Sequence, residues 1–145
     1  MFITDEPIPL NEFLSRVPSR SCGAVATFVG VVRDHHGGKK VKRLFYDSYL
    51  PMAEKEMAAL IVGIKQKVCV DEILVLHRIG WLEAGEAAVA VWVSAPHREE
   101  AFRACRVAVD EIKKNVPIWK KEVYTDESYE WMDGCHVHEE EPICG

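Results

Sequence analysis

The hydrophobic positions along the chain change period several times, and those changes divide it into elements. Residues 2–8 read as a short strand or extended lead-in. Pro9 to Val17 carries Leu10, Phe13, Leu14 and Val17 at helical spacing, which predicts a short helix with one apolar face. Pro18 to Gly23 is a turn region. Ala24 to Val32 is a near-continuous apolar run rich in β-branched residues and predicts a buried strand. Alternation along it puts Val29, Val31 and Arg33 on one face, so Arg33 is expected to point the way a core-facing residue does. Gly37-Gly38 can make the turn into a second strand, Val41 to Tyr49, antiparallel to the first. Pro51 suits the first turn of a helix. Ala53, Met57, Leu60, Ile61, Ile64 and Val68 then repeat on one side of it. Met52 and Met57 are expected to fill core space.

The second half follows the same order. Glu72 to Arg78 alternates as a third strand. Gly80 to Gly85 reads as a turn holding Trp81 and Leu82. Ala87 to Ala95 is a fourth strand, with Val89, Val91 and Val93 on one face and Trp92 on the other. Pro96 opens a second long helix whose stripe is Ala101, Cys105, Ala108, Val109 and Ile112. Pro117 must end it, because proline lacks an N–H and pushes its predecessor out of the α region. Val123 to Trp131 reads as a strand or extended arm. This order predicts an α+β fold with a largely antiparallel sheet and two long packed helices. Residues 1–131 are expected to form a single domain, or two intimately packed α+β portions, with 132–145 as an acidic C-terminal tail.

Composition narrows the function classes. The 145 residues are 48% hydrophobic and 28% charged, the balance of an ordinary globular chain. A net charge of −5 argues against broad nucleic-acid binding, so any anion site must be local. No apolar run approaches the roughly 20 residues of a membrane helix, and residues 1–6 lack the pattern of a signal peptide. The five cysteines are odd in number and scattered, which suits a reducing cytoplasm. Cys22 has no acid–base partner near it in sequence and reads as packing. Cys135, His136, His138 and Cys144 suggest metal chemistry, but their spacings match no zinc pattern, and Glu139-Glu140-Glu141 reads as solubilising tail. No metal and no cofactor are expected.

Candidate chemistry rests on four cations. Lys113 and Lys120 flank the proline break, beside Ile118 and Trp119. Lysines next to buried apolar surface can grip anions. Alternatively, Lys113 and Lys114 simply suit the dipole at a helix end. Arg33, at a strand end before the polar loop Asp34 to Lys40, is either a surface ion-pair residue or an anion clamp. His35-His36 in that loop reads as solvated. His97 and Arg98 fall in a helix first turn, where the free N–H groups already favour an anion and a cation is locally unfavourable. Taken alone, His97 reads as a capping or core histidine. Arg98 and Lys113 lie fifteen positions apart on one helix, roughly 22 Å along its axis. One small substrate cannot touch both in a single copy. Either the two serve different purposes, or a two-fold dimer brings Arg98 of one chain to Lys113 of the other.

Longer motifs carry a family resemblance. They are His77-Arg78-Ile79-Gly80 with Leu82 and Gly85-Glu86; Val91 and Val93 with His97-Arg98 and Ala101-Phe102; and Asp110, Lys113 and Pro117-Ile118-Trp119-Lys120-Lys121-Glu122. Phe28, Gly30, Val32-Arg33, then Tyr46, Tyr49 and Met52-Ala53, fit upstream. Over residues 23–131 the chain resembles the large, catalytic subunit of molybdopterin synthase. That family's enzyme inserts two sulfurs into cyclic pyranopterin monophosphate to form the molybdopterin dithiolene, a step of molybdenum cofactor biosynthesis. The resemblance implies an α/β hammerhead-like fold, a sulfurtransferase activity and a cytoplasmic homodimer. It also implies a small ubiquitin-like partner whose C-terminal Gly-Gly thiocarboxylate supplies the sulfur, giving a heterotetramer. Lys113 and Lys120 match the family's key active-site lysines. Arg33, His97 and Arg98 match its substrate-anion contacts, the last two donated by the neighbouring chain. Val31, Val32, Lys121 and Glu122 complete the implied substrate-binding set. The division of roles between Lys113 and Lys120 stays open. Two other readings compete: a non-catalytic module that binds a partner's C-terminal tail, and a metal-binding protein using its His and Cys residues.

Overall fold

A computed structural model describes residues 1–133. In chain order the elements are β1 (Ile3–Thr4), α1 (Leu10–Leu14), β2 (Ala24–Val31), β3 (His35–His36), β4 (Lys39–Ser48) and α2 (Leu50–Lys67). They continue with β5 (Glu72–Arg78), β6 (Gly80–Glu83), β7 (Ala87–Ala95), α3 (Arg98–Asn115), β8 (Ile118–Tyr124) and β9 (Tyr129–Asp133). The fold is α+β, as the order of periodicities predicts.

Two sheets organise the chain. The first runs β1-β5-β7-β2 and is antiparallel except for the β1–β5 pair. Its helix-facing side presents Ile73 and Val75 from β5, Val91, Val93 and Ala95 from β7, and Ala26 from β2. Against them lie Ala53, Met57 and Ile64 of α2 and Ala101, Ala104, Cys105, Ala108 and Ile112 of α3. The small side chains on α3 let its backbone lie close to β7 and β2, which suits dense packing. Glu54 ties β1 to α2: its carboxylate accepts the Phe2 N–H at 2.8 and 2.9 Å and the Ile3 N–H at 3.0 Å.

The second sheet runs β3-β4-β8-β9, with β6 also paired to β4. Its core holds Val32, Val41, Leu44, Leu82, Ala88 and Tyr124. Tyr46 packs against both cores. Its ring meets His77 of β5 edge-on at 5.1 Å, a contact that bridges the two sheets.

Several expectations are corrected. The helix predicted to Val17 stops at Leu14, and Val17 is 83% exposed, because no element covers that side. β2 is an edge strand of the first sheet and pairs with β7, not with β4. Gly37-Gly38 does make a hairpin turn, with φ of 57° and 80°, but it joins β3 to β4. Because the helices cover the Ala26 side of β2, the opposite face is open, leaving Val25 exposed and Val31 52% exposed. Gly80 to Glu83 is a strand rather than a turn, since it pairs with Arg43 to Tyr46. The arm expected from Val123 is a hairpin: β8 begins directly after Pro117 and β9 folds back on it. Met57 is fully buried, but Met52 is 49% exposed on the outer side of α2.

Candidate active site

The break between α3 and β8 places the two lysines. The amphipathic stripe carries α3 to Asn115, and the Val116 N–H closes the last turn onto the Ile112 carbonyl at 3.3 Å. Pro117 then forces extended backbone, and the Ser48 hydroxyl donates to its carbonyl at 3.0 Å. Lys113 is exposed in the last turn of α3, where a cation suits the helix dipole. Lys120 lies inside β8, opposite Tyr46 of β4 and Met132 of β9.

Strand alternation sends Lys120 and Glu122 to one face of β8 and Lys121 to the other. Glu122 is buried, its side chain only 4% exposed, while Lys120 is 24% exposed. The Lys120 amine sits 3.5 Å from Glu122 Oε1. On the other carboxylate oxygen, His36 Nδ1 donates at 3.1 Å. Tyr46 and Tyr124 border this acid. Burial first, then the Glu122 charge, pushes the Tyr46 hydroxyl up to about 12. Tyr124 is pushed above its ordinary value by burial first, then by its hydrogen bond to Glu130 at 3.0 Å, by the charges of Glu122 and Glu130, and by a hydrogen bond to Glu122. A carboxylate in such a place needs cationic and donor neighbours, because water cannot solvate it. Lys121 instead lies over the rings of Tyr129, at 4.2 Å, and Trp131, at 5.6 Å.

Val32 is buried, and its backbone is fixed by the β6–β7 turn: its N–H donates to the Glu86 carbonyl at 3.0 Å, and its carbonyl accepts the Gly85 N–H at 2.9 Å. Arg33 follows it and is exposed, not core-facing as alternation suggested, because the face it shares with Val31 is the open one. It stands free to meet a ligand from solvent. His97 is the N-cap of α3 without a side-chain capping bond, and Arg98 opens the helix. Both are exposed and line an open groove of about 530 Å³ with Gly23, Pro96 and Glu99. The Gly23 N–H donates to the Ala95 and Pro96 carbonyls at 3.1 Å, which holds the backbone so close that a Cβ would lie 2.7 Å from the Pro96 oxygen, and glycine fits there for that reason.

The structure therefore joins Lys120 and Glu122 and sets Lys121 on the opposite face. His97 and Arg98 lie at the far end of α3, roughly 22 Å from Lys113 along the axis. Sequence reasoning missed His36 and Tyr46 as neighbours of Glu122. The Gly37-Gly38 turn announces the hairpin that carries His36, but nothing local announces its partner 86 residues away. Among the described residues no group of three or more His, Cys, Asp or Glu could hold a metal ion. Cys135, His136, His138 and Cys144 lie outside the described residues. Among the described residues no helix is long and apolar enough to cross a membrane.

Comparison with solved structures gives the class. An X-ray structure of molybdopterin synthase from Staphylococcus aureus superposes with a TM-score of 0.84 at 39% identity, covering 90% of this chain and 95% of that one. A protein–protein complex of subunits 1 and 2 of molybdopterin-converting factor from Helicobacter pylori contains a chain of the same fold, with a TM-score of 0.74, 19% identity and 90% and 88% coverage. The fold is thus that of a molybdopterin synthase subunit. At the sequence level, the MoaE protein family model matches residues 3–115. The molybdopterin synthase catalytic subunit of Pyrococcus abyssi is 45% identical over 129 residues, 89% of this chain and 86% of that protein. The chain belongs to the MoaE family of molybdopterin synthase catalytic subunits.

Proposed function

We propose that this chain transfers sulfur to cyclic pyranopterin monophosphate, working as the large subunit of a cytoplasmic molybdopterin synthase. The sulfur comes from the C-terminal thiocarboxylate of a small ubiquitin-like partner. As each sulfur leaves, water returns an oxygen to that carboxyl, so two partner molecules are consumed per dithiolene. Lys120 and Lys113 are the catalytic groups, placing the anionic sulfur and stabilising charge as the cyclic phosphate opens. Arg33, with His97 and Arg98 of a second copy, holds the phosphate. Val31, Val32, Lys121 and Glu122 shape the approach of substrate and partner tail. Residues 1–131 work as one catalytic domain, and the working unit is a dimer of this chain with a small subunit at each end.

One observation carries this reading: in a chain of this family, the half-buried Lys120 amine is held by a buried carboxylate just beyond the helix end that bears Lys113. The length of α3 supports the second copy, because no single chain brings Arg98 to Lys113. The test is to mix the protein with thiocarboxylated small subunit and the cyclic substrate and to weigh the pterin product. Gain of two sulfurs is expected. Tail binding with no change in substrate mass would overturn the enzymatic reading in favour of a binding module.

A further inference from the structure

Two histidines stand side by side at the tip of the second sheet, and the backbone gives them different lives. His35 pairs with Asp34 at 2.7 Å and its side chain is 66% exposed. His36 ends β3, and the Gly37-Gly38 turn folds it back beside Lys39. Its side chain is 23% exposed and turned inward, with Nδ1 3.1 Å from Glu122 Oε2. The two oxygens of Glu122 are thereby divided: Oε2 accepts from His36, and Oε1 faces the Lys120 amine at 3.5 Å. A carboxylate this deeply buried is held by the donors the protein supplies. Among the described residues, ionisable groups beside it also include Tyr46 from β4, Tyr124 from β8 and Glu130, its cross-strand partner on β9. Tyr124 is itself covered by the Lys39 amine, 4.8 Å from the ring centre. The Tyr124 hydroxyl also reaches the Glu122 carboxylate while donating to Glu130 at 3.0 Å, and the His36 ring is bonded to Oε2 at 3.1 Å, at the end of the carboxylate away from Lys120.

We propose that His36 is a positioning residue: it fixes the plane of Glu122, and Glu122 in turn fixes the Lys120 amine. This rests on the reading of Lys120 as a catalytic group. Without the imidazole, Oε2 has lost a donor, the carboxylate can rotate, and the amine loses its fixed place. His36 itself meets no substrate in this scheme, so the chemical step should suffer and substrate binding should not.

The experiment is the sulfur-transfer assay with thiocarboxylated small subunit and cyclic substrate, run on the assembled enzyme. The variants are H36A, H36F, H36N, E122Q, E122Q/H36A and K120A, each checked by thermal melting. H36A should lower kcat about tenfold, the order expected for one hydrogen bond to a charged group, with KM for the pterin within about twofold. H36F fills the space but cannot donate, and should match H36A. H36N can place an amide N–H where Nδ1 stood, and should recover kcat to within about threefold of the parent. In the E122Q background, H36A should add nothing, because both changes break the same chain of contacts. A parental kcat in both H36A and H36F, or an H36A loss that multiplies with that of E122Q, overturns the proposal. If K120A is inactive while H36A and H36F are unimpaired, only the positioning role falls. If K120A keeps full activity, the Lys120 reading falls and takes the positioning role with it.

Discussion

Lys120 and Lys113 differ in what surrounds them, and that difference can be measured. Lys120 has a defined partner in Glu122, whereas Lys113 projects into solvent from a helix end. Replacing Lys120 by Ala removes the cation beside a 4%-exposed carboxylate as well as the proposed catalytic amine. We expect K120A to lose about 100-fold or more in kcat, the scale for removing a group that stabilises developing charge. We expect K113A to fall comparably, with thermal stability close to that of the parent, because its side chain packs against little. Steady-state sulfur transfer and melting curves check both, and full activity in either variant would remove that lysine from the site. At this scale the sequence was a partial guide. The lysines were legible because Pro117 forces a break between them. The direction of Arg33 was misread, because alternation reports which residues share a face and not which face the helices cover. His36 was illegible, because its meaning comes from Glu122 on a distant strand.

Elements whose burial is periodic were read well, and those held only by distant pairing were not. β5 and β7 have the predicted limits, and α2 and α3 begin and end within two residues of theirs, since each alternates or repeats against the same core. β6 and β9 escaped because four or five residues beside a turn carry too little period, and only pairing to β4 and β8 makes them strands. The junction under α3 offers a test of element placement. Gly23 lies against the backbone that starts this helix, so a methyl group there meets the Pro96 carbonyl oxygen at 2.7 Å. Backbone must shift to admit it, and Gly23→Ala should cost about 1–3 kcal/mol in urea unfolding. The shift would move His97 and Arg98, so KM for the phosphorylated substrate should rise more than kcat falls. An unchanged unfolding midpoint would show that the junction yields freely.

At the scale of the molecule, the join between the two sheets makes stability depend on pH. His77 is 6% exposed, and its Nδ1 donates to the Arg78 carbonyl at 2.8 Å. Burial holds its pKa down to about 4, with the Arg78 carbonyl pulling the other way. The unfolded chain therefore binds this proton more readily than the folded one. The contribution to stability is complete above the unfolded pKa near 6.5 and is lost as pH falls toward 4, to a total of roughly 3 kcal/mol. Asp34, Glu86, Asp126 and Glu127 have pKa values pulled below the ordinary carboxylate range, by hydrogen bonds first, so their part is lost only as pH falls further, through those lowered values. Urea midpoints between pH 6.5 and 5 should drop in the parent and flatten in His77→Leu, whatever that variant loses overall. The same scale decides the composite site. If Arg98 serves one active centre and Lys120 the centre at the other end of a partner's α3, then R98A and K120A chains fail at different halves of each site. Dissociated and remixed at equal amounts, about half the dimers would be mixed. Each mixed dimer would hold one centre with both residues intact and one lacking both. Activity should then return to about a quarter of the parental level from two proteins that each lack one half of every site. Mixtures that stay inactive after proven subunit exchange would place Arg98 and Lys120 in the same chain's site, which the length of α3 makes hard to build for one small substrate.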